Sequence, residues 1–104
     1  MSVKEYTVKI YSNGDTFWTV NGKLHNEHGP AVVFANGDKE WHMNGKLHNE
    51  KAPAVMYANG DICWALDGKI YSGEEYIAEL KSREDSFHSK IVEIDGKKYK
   101  LQLV

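Results

Sequence analysis

The sequence predicts a mostly β fold: an antiparallel β-meander built from 23-residue hairpin repeats, with one short C-terminal helix and a terminal β-hairpin. Three observations carry that expectation. Residues 13–35 (NGDTFWTVNGKLHNEHGPAVVFA) and 36–58 (NGDKEWHMNGKLHNEKAPAVMYA) align without gaps and are identical at 15 of 23 positions. Self-similarity at such a period marks a repeat architecture, in which each unit buries its apolar side against its neighbours. Asn-Gly recurs at 13–14, 21–22, 36–37, 44–45 and 59–60, and Asp-Gly at 67–68 and 95–96. These dipeptides supply the positive φ that two-residue type I′ hairpins need. The segments between them are short and rich in Trp, Val, Tyr, Phe and Met, which is strand composition.

At 104 residues the chain reads as a single domain, 1–104. A leading strand (1–12) precedes the copies at 13–35, 36–58 and 59–71, with YTVKIYS (6–12) in the place of AVVFA and AVMYA. Within the second copy the pattern gives strands near 31–35, 38–43 and 46–48. A loop at 49–53 follows, and Pro30 and Pro53 fall in matching loops where a missing amide donor is harmless. If Asn36-Gly37 and Asn44-Gly45 are both two-residue turns, Val32 faces Trp41, Met43 faces Lys46 and Trp41 faces His48. Alternation then places Val32, Phe34, Trp41, Met43 and His48 on one side. The corresponding side holds Tyr11, Trp18, Val20 and His25 in the first copy and Val55, Tyr57, Ile62, Trp64, Leu66 and Tyr71 in the third. Trp18, Trp41 and Trp64 form a ladder in this reading, and a one-residue slip at either turn would exchange the sides. The opposite side of the third copy (Met56, Ala58, Cys63, Ala65, Ile70) is apolar and needs a cover.

A helix over 72–85 is the expected cover. Ser72 to Glu75 is a capping-box pattern, and Glu74 and Glu75 suit the positive end of a helix. Tyr76, Ile77 and Leu80 share its apolar side. A terminal hairpin over 90–104 turns at Asp95-Gly96 and sets Glu93 opposite Lys98 and Val92 opposite Tyr99. Helix and hairpin serve as the atypical end that a repeat array needs to hide its edge.

Composition narrows the function classes. Lys and Arg total 13 against 15 Asp and Glu, a net charge of −2, so there is no general attraction to nucleic acid or anionic lipid. The one cysteine, Cys63, has no internal disulfide partner and no CxxC zinc pairing, which favours a reducing compartment. No stretch approaches the roughly 20 apolar residues of a membrane helix, and the opening MSVKEYTVKIYSNGD lacks the apolar run of a signal peptide. The expected location is cytoplasmic.

The phrase NGKLHNEHGPAVVFANGDKEW resembles a repeat of the form NGKLHREDGPA, followed by an aromatic, a Gly turn and a Trp, in uncharacterised small proteins of tailed bacteriophages. The resemblance covers residues 11–71, extends weakly to IYSGEEYIAEL (70–80), and departs from the pattern at Glu50-Lys51-Ala52. The repeats also look distantly like MORN-type hairpin repeats. The resemblance implies a β-hairpin array of phage or prophage origin, hence the cytoplasm of an infected host. It implies no reaction. MORN repeats elsewhere serve as interaction modules, a fold-level analogy.

Catalytic and cofactor signals are weak. His25 and His28 have an HxxH spacing, but without an acidic pair at metal-ligand distance in sequence. His25 and His48 recur because the repeat recurs, and read as rings packed on Trp18 and Trp41. Cys63 matches Phe17 and Glu40 in the other copies, an ordinary sheet position. No GxSxG, P-loop or GxGxxG occurs, and the glycines belong to turns. The expectation is a non-enzyme with no cofactor and no metal. Its partner is expected to be a host or phage protein, with nucleic acid disfavoured, no membrane, and a homo-oligomer open through the N-terminal edge strand. Loops on a rigid scaffold carry specificity, so the candidate partner-binding residues are His25, Asn26, Glu27, His28, His48, Asn49, Glu50 and Lys51 with Trp18 and Trp41. Small phage proteins of this type commonly block a host protein, for instance a defence nuclease. The alternative is a ligand-binding module that takes a glycan or nucleotide on the aromatic surface between hairpins.

Overall fold

A computed structural model describes the backbone of residues 5–88, 91–94 and 96–100, with side chains at 5–83, 96 and 97. The protein is mostly β: an antiparallel sheet of many strands with one short C-terminal helix. Two compact units divide the chain, Met1–Ser72 and Gly73–Val104.

In the first unit the strands are β1 (Thr7–Ile10), β2 (Thr16–Val20), β3 (Lys23–Leu24), β4 (Val32–Val33), β5 (Lys39–Glu40), β6 (His42–Met43), β7 (Lys46–Leu47), β8 (Val55–Met56), β9 (Ile62–Leu66) and β10 (Lys69–Tyr71). The sheet runs β1-β2-β4-β5-β8-β9-β10, with β3 paired to β2 and β6 paired to β7. Each pairing is antiparallel. The segment expected at 38–43 is broken at Trp41 into β5 and β6. Trp41 itself is held by backbone bonds on both sides. Its N–H donates to Ala54 O at 2.8 Å, while its carbonyl accepts from His48 N–H at 2.9 Å. The tryptophan thus bonds to the main sheet on one side and to its own short hairpin on the other. Trp18 does the same with Ala31 (2.7 Å) and His25 (3.0 Å).

The turns are of two kinds, which corrects the uniform two-residue reading. Asn21-Gly22, Asn44-Gly45 and Asp67-Gly68 have positive φ at both positions (53° and 78°, 53° and 82°, 51° and 85°), the signature of type I′. At Asn13-Gly14, Asn36-Gly37 and Asn59-Gly60 only the glycine is left-handed, with φ of 99°, 99° and 96°. There Gly14 N–H donates to Tyr11 O and Tyr11 N–H to Asp15 O. That is a type I turn closed by a left-handed glycine, a three-residue loop. Phe34–Asp38 and Tyr57–Asp61 repeat it. The aspartate after each glycine selects this form. Asn13 Oδ1 accepts from Asp15 N–H (3.0 Å), and Asn13 Nδ2 donates to Asp15 Oδ2 (3.1 Å), holding the asparagine in a right-handed turn. The other Asp15 oxygen accepts from Ala35 N–H at 2.7 Å, and Asp38 does the same for Ala58 at 2.7 Å. Each carboxylate therefore ties its own turn to the turn 20 residues on.

One extra loop residue shifts the register. Val32 pairs with Glu40, not Trp41, and Val33 with Lys39. Likewise Val55 pairs with Cys63 and Met56 with Ile62. The expected grouping of Val32 and Phe34 with Trp41, of Tyr11 with Trp18, and of Val55 and Tyr57 with Trp64 is therefore corrected. Lys9, Phe17, Val32, Glu40, Val55 and Cys63 form one cross-strand row. Phe17 meets Tyr11 and Phe34 edge-on, with ring centroids 5.5 and 6.0 Å apart. The same registers carried one position further give the adjacent row: Val8, Trp18, Ala31, Trp41, Ala54, Trp64, Tyr71. Its two ends are direct pairs, Val8–Trp18 and Trp64–Tyr71. The three tryptophans thus lie in one row on one side, as the ladder reading requires. Ala31 and Ala54 are fully buried between them, and Val32, Val55, Ala65 and Leu66 complete the buried apolar set among the described residues of this unit. Burying each valine contributes on the order of 1.5–3 kcal/mol.

In the second unit the helix α1 spans Gly73–His88, with Glu74 and Glu75 in its first turn. Tyr76 is buried and Leu80 half-buried, four residues apart on one side. Ile77 is exposed, which corrects its expected place on the apolar side. Arg83 Nε donates to Glu79 Oε1 at 3.2 Å, a helical i,i+4 pair. The hairpin β11 (Ile91–Ile94) and β12 (Lys97–Lys100) pairs Val92 with Tyr99 and Glu93 with Lys98, the register expected from its sequence. Residues 1–4, 89–90, 95 and 101–104 of the expected leading strand and terminal hairpin lie outside the described residues.

Neighbouring strands lie about 4.7–4.9 Å apart, so the residue between two indoles must be small. Ala54→Leu is expected to destabilise the protein by about 1–3 kcal/mol through overpacking. Ala35→Leu, at an exposed turn, is expected to stay within about 0.5 kcal/mol. Urea unfolding of both variants checks this.

Candidate functional site

The two loops of matching sequence, 25–30 and 48–53, are built by the same bonds. Asn26 Oδ1 accepts from His28 N–H (3.0 Å), and its Nδ2 donates to Pro30 O (3.1 Å). Asn49 repeats both, to Lys51 N–H (3.0 Å) and Pro53 O (3.1 Å). An asparagine suits both bonds because its amide presents an acceptor and a donor on two separate atoms of one short side chain. Its central placement clamps the loop and leaves Glu27 and His28, or Glu50 and Lys51, at the exposed tip.

The histidines before these asparagines join successive copies. Asn44 N–H donates to His25 Nδ1 at 2.9 Å, and Asp67 N–H donates to His48 Nδ1 at 2.9 Å. With Nδ1 accepting, the neutral ring carries its proton on Nε2. That nitrogen faces Glu27 Oε1 at 3.6 Å in His25 and Glu50 Oε1 at 3.4 Å in His48. The type I′ turn of each later copy is therefore seated on a histidine of the copy before. Backbone bonds follow the same path, from Gly45 N–H to Leu24 O and from Gly68 N–H to Leu47 O.

A cleft of about 210 Å³ opens beside the second copy, lined by Asn26, Glu27, Trp41, Met43, His48, Asn49, Glu50 and Lys51. It gathers most of the candidate residues: both loop asparagines, both loop glutamates, Lys51, His48 and Trp41. His25, by contrast, is only 3% exposed and Asn26 is 9% exposed. Burial gives His25 a structural role under the Asn44 turn rather than a place on the open surface. His28 is exposed at its loop tip and does not line the cleft. Trp18 lies elsewhere, under the Tyr6 ring, with centroids 5.8 Å apart and planes at 77°. Met43 joins the cleft through its place in β6. Its sequence signal was its pairing with Lys46, which the structure shows. Tyr6 was missed altogether, although it stands where the copies carry Gly29 and Ala52.

Among the described residues no group of three or more His, Cys, Asp or Glu is placed to hold a metal ion. Cys63 is a free, half-buried thiol in the row with Val55. No helix of the described residues is long and apolar enough to cross a membrane. Compared with protein-family models, curated proteins and solved structures, the chain finds no match.

His25→Phe keeps an aromatic ring, larger than the imidazole, and removes the acceptor for Asn44 N–H. It is expected to cost about 1–3 kcal/mol, from the lost part-buried hydrogen bond together with the larger ring at a buried position. His28→Ala is expected to change stability by less than about 0.5 kcal/mol. Thermal and urea denaturation of the two variants distinguish the buried from the exposed histidine.

Proposed function

We propose that this chain is a non-enzymatic binding module, an antiparallel meander of 23-residue hairpin repeats that engages another protein through the cleft at the second copy. The loops 25–30 and 48–53 form the rim of the contact and Trp41 its floor. The resemblance of NGKLHNEHGPA to a repeat of phage proteins supports reading the module as a phage accessory protein, acting in the host cytoplasm by occupying a host protein such as a defence factor.

The observation that carries this reading is the convergence of Glu27, Trp41, His48, Asn49, Glu50 and Lys51, from two copies, on one cleft. A half-buried indole ringed by polar groups matches the anatomy of a protein-binding anchor, where aromatic residues supply the contact and a polar rim excludes water. The loops are rigid through their asparagine clamps, so little ordering entropy opposes binding. At this cleft a glycan or nucleotide is the weaker reading, since its volume is about 210 Å³, below the roughly 300–1,000 Å³ of small-molecule pockets.

Capture from bacterial lysate on the immobilised chain tests the proposal. Three proteins of equal thermal stability are compared: the wild type, a Glu50→Lys/Lys51→Glu double variant, and Ser12→Glu at an exposed turn outside the cleft. The wild type and Ser12→Glu are expected to retain the same protein, and the double variant about tenfold less of it, a loss of about 1.4 kcal/mol. Equal retention by all three, or specific retention by none, contradicts the reading.

A further inference from the structure

The leading strand shows what the cleft is shaped to hold. Carrying the 23-residue period back through the chain, Tyr6-Thr7-Val8 takes the place of Gly29-Pro30-Ala31 and of Ala52-Pro53-Ala54. The registers agree: Val8 pairs with Trp18, and the β4–β5 register brings Ala31 to Trp41. Tyr6 therefore stands two residues before the partner of Trp18, on the same side of the sheet. Its ring meets the indole edge-on at 5.8 Å and lies 6.3 Å from the His25 ring, tilted by 35°. The Tyr6 hydroxyl is buried without a hydrogen-bond partner among the described residues, so the ring is held by packing.

At the second copy the indole is Trp41, the imidazole is His48, and the residue in the place of Tyr6 is Gly29, which has no side chain. No side chain at position 29 covers Trp41 and His48 as Tyr6 covers Trp18 and His25, and Trp41 and His48 both line the cleft. The geometry points to an aromatic side chain of the partner protein as the occupant of this cleft, seated edge-on against Trp41 and beside His48 as Tyr6 sits on Trp18 and His25. This rests on the protein-binding reading above and deepens it, by naming the chemistry of the anchor. Edge-to-face aromatic pairs, like offset-stacked ones, are favoured over a face-to-face sandwich. At the rim, the Glu27 and Glu50 carboxylates are acceptors within the lining for a phenolic O–H.

Gly29 makes the idea directly testable. Its φ is outside the left-handed region, and a Cβ there would meet only Asn26 Nδ2, at 3.9 Å, an ordinary contact. A side chain can therefore be added. Gly29→Tyr supplies in cis the ring that the partner would bring, and Tyr6→Ala empties the copy of the site at Trp18.

N-acetyl-tyrosinamide is titrated into the folded chain while NMR follows the three indole N–H signals and the His48 ring, with N-acetyl-leucinamide as the aliphatic control. In the wild type, tyrosinamide is expected to shift the Trp41 and His48 signals saturably and more strongly than leucinamide, with Trp18 unmoved. Gly29→Tyr is expected to weaken the Trp41 response about tenfold or more, and Tyr6→Ala to make Trp18 responsive. An unresponsive Trp41, an equal response to leucinamide, or a Trp41 response that survives in Gly29→Tyr overturns the proposal. If Gly29→Tyr does not fold, the Tyr6→Ala arm decides: a Trp18 signal that stays unmoved there overturns it. The probe contains no partner protein, so its failure leaves capture by the loops standing, and failed capture leaves ring binding standing.

Discussion

The bonds from the Trp18 and Trp41 amides to the carbonyls of Ala31 and Ala54, beside β4 and β8, are the constraint on which the first unit depends. Trp18 reaches Ala31 and Trp41 reaches Ala54. Because the same tryptophan gives its carbonyl to the following histidine, one residue joins the continuous sheet to a short hairpin. Indole, alanine and histidine thereby become a single set. The alanine must be small to lie between two indoles. The histidine must present Nδ1 to the turn of the next copy, Asn44 or Asp67. Neither demand could be met by a generic strand residue, and Trp, Ala and His recur in both full copies while neighbours such as Thr19 and His42 differ; in the third copy Tyr71 takes the histidine's place beside Trp64.

Much of this was legible in the sequence, and the part that was not has a definite physical origin. Type I′ turns followed from Asn-Gly and Asp-Gly where lysine comes next, at 21–23, 44–46 and 67–69. The same dipeptide followed by aspartate makes a different loop. The carboxylate closes on the asparagine and on a backbone N–H 20 residues away, so the loop gains a residue. That slip moved Val32 and Phe34 to the side of Phe17, yet left the tryptophans aligned, since every copy slips equally. A repeat therefore preserves relations between equivalent residues even where the relation within one copy is misread. The helix start was legible from Ser72 and Glu75. The exposure of Ile77 was not, because a residue beside Tyr76 can fall on either flank of the buried stripe.

The candidate site was half legible. Repetition of His-Asn-Glu before Pro30 and Pro53 identified the loops, and the cleft draws on both. It could not separate buried His25 from exposed His28, because His25 is covered by a turn supplied 19 residues later. The replacement of Tyr6 by Gly29 was visible in principle, as a position where the leading strand carries a ring and the first full copy carries none. Its meaning depends on knowing that the ring rests on Trp18. The difference between a filled and an unfilled copy of one site is the link from architecture to binding.

Amide hydrogen exchange at Trp18 and Trp41 tests the central constraint most directly. If these two N–H groups hold the strands together, they exchange only when the unit opens as a whole. Both should then rank with the slowest amides of the chain and lose protection together as denaturant is added. Exchange at Trp18 or Trp41 as fast as at the loop-tip amides of Glu27 and Glu50 would contradict the account.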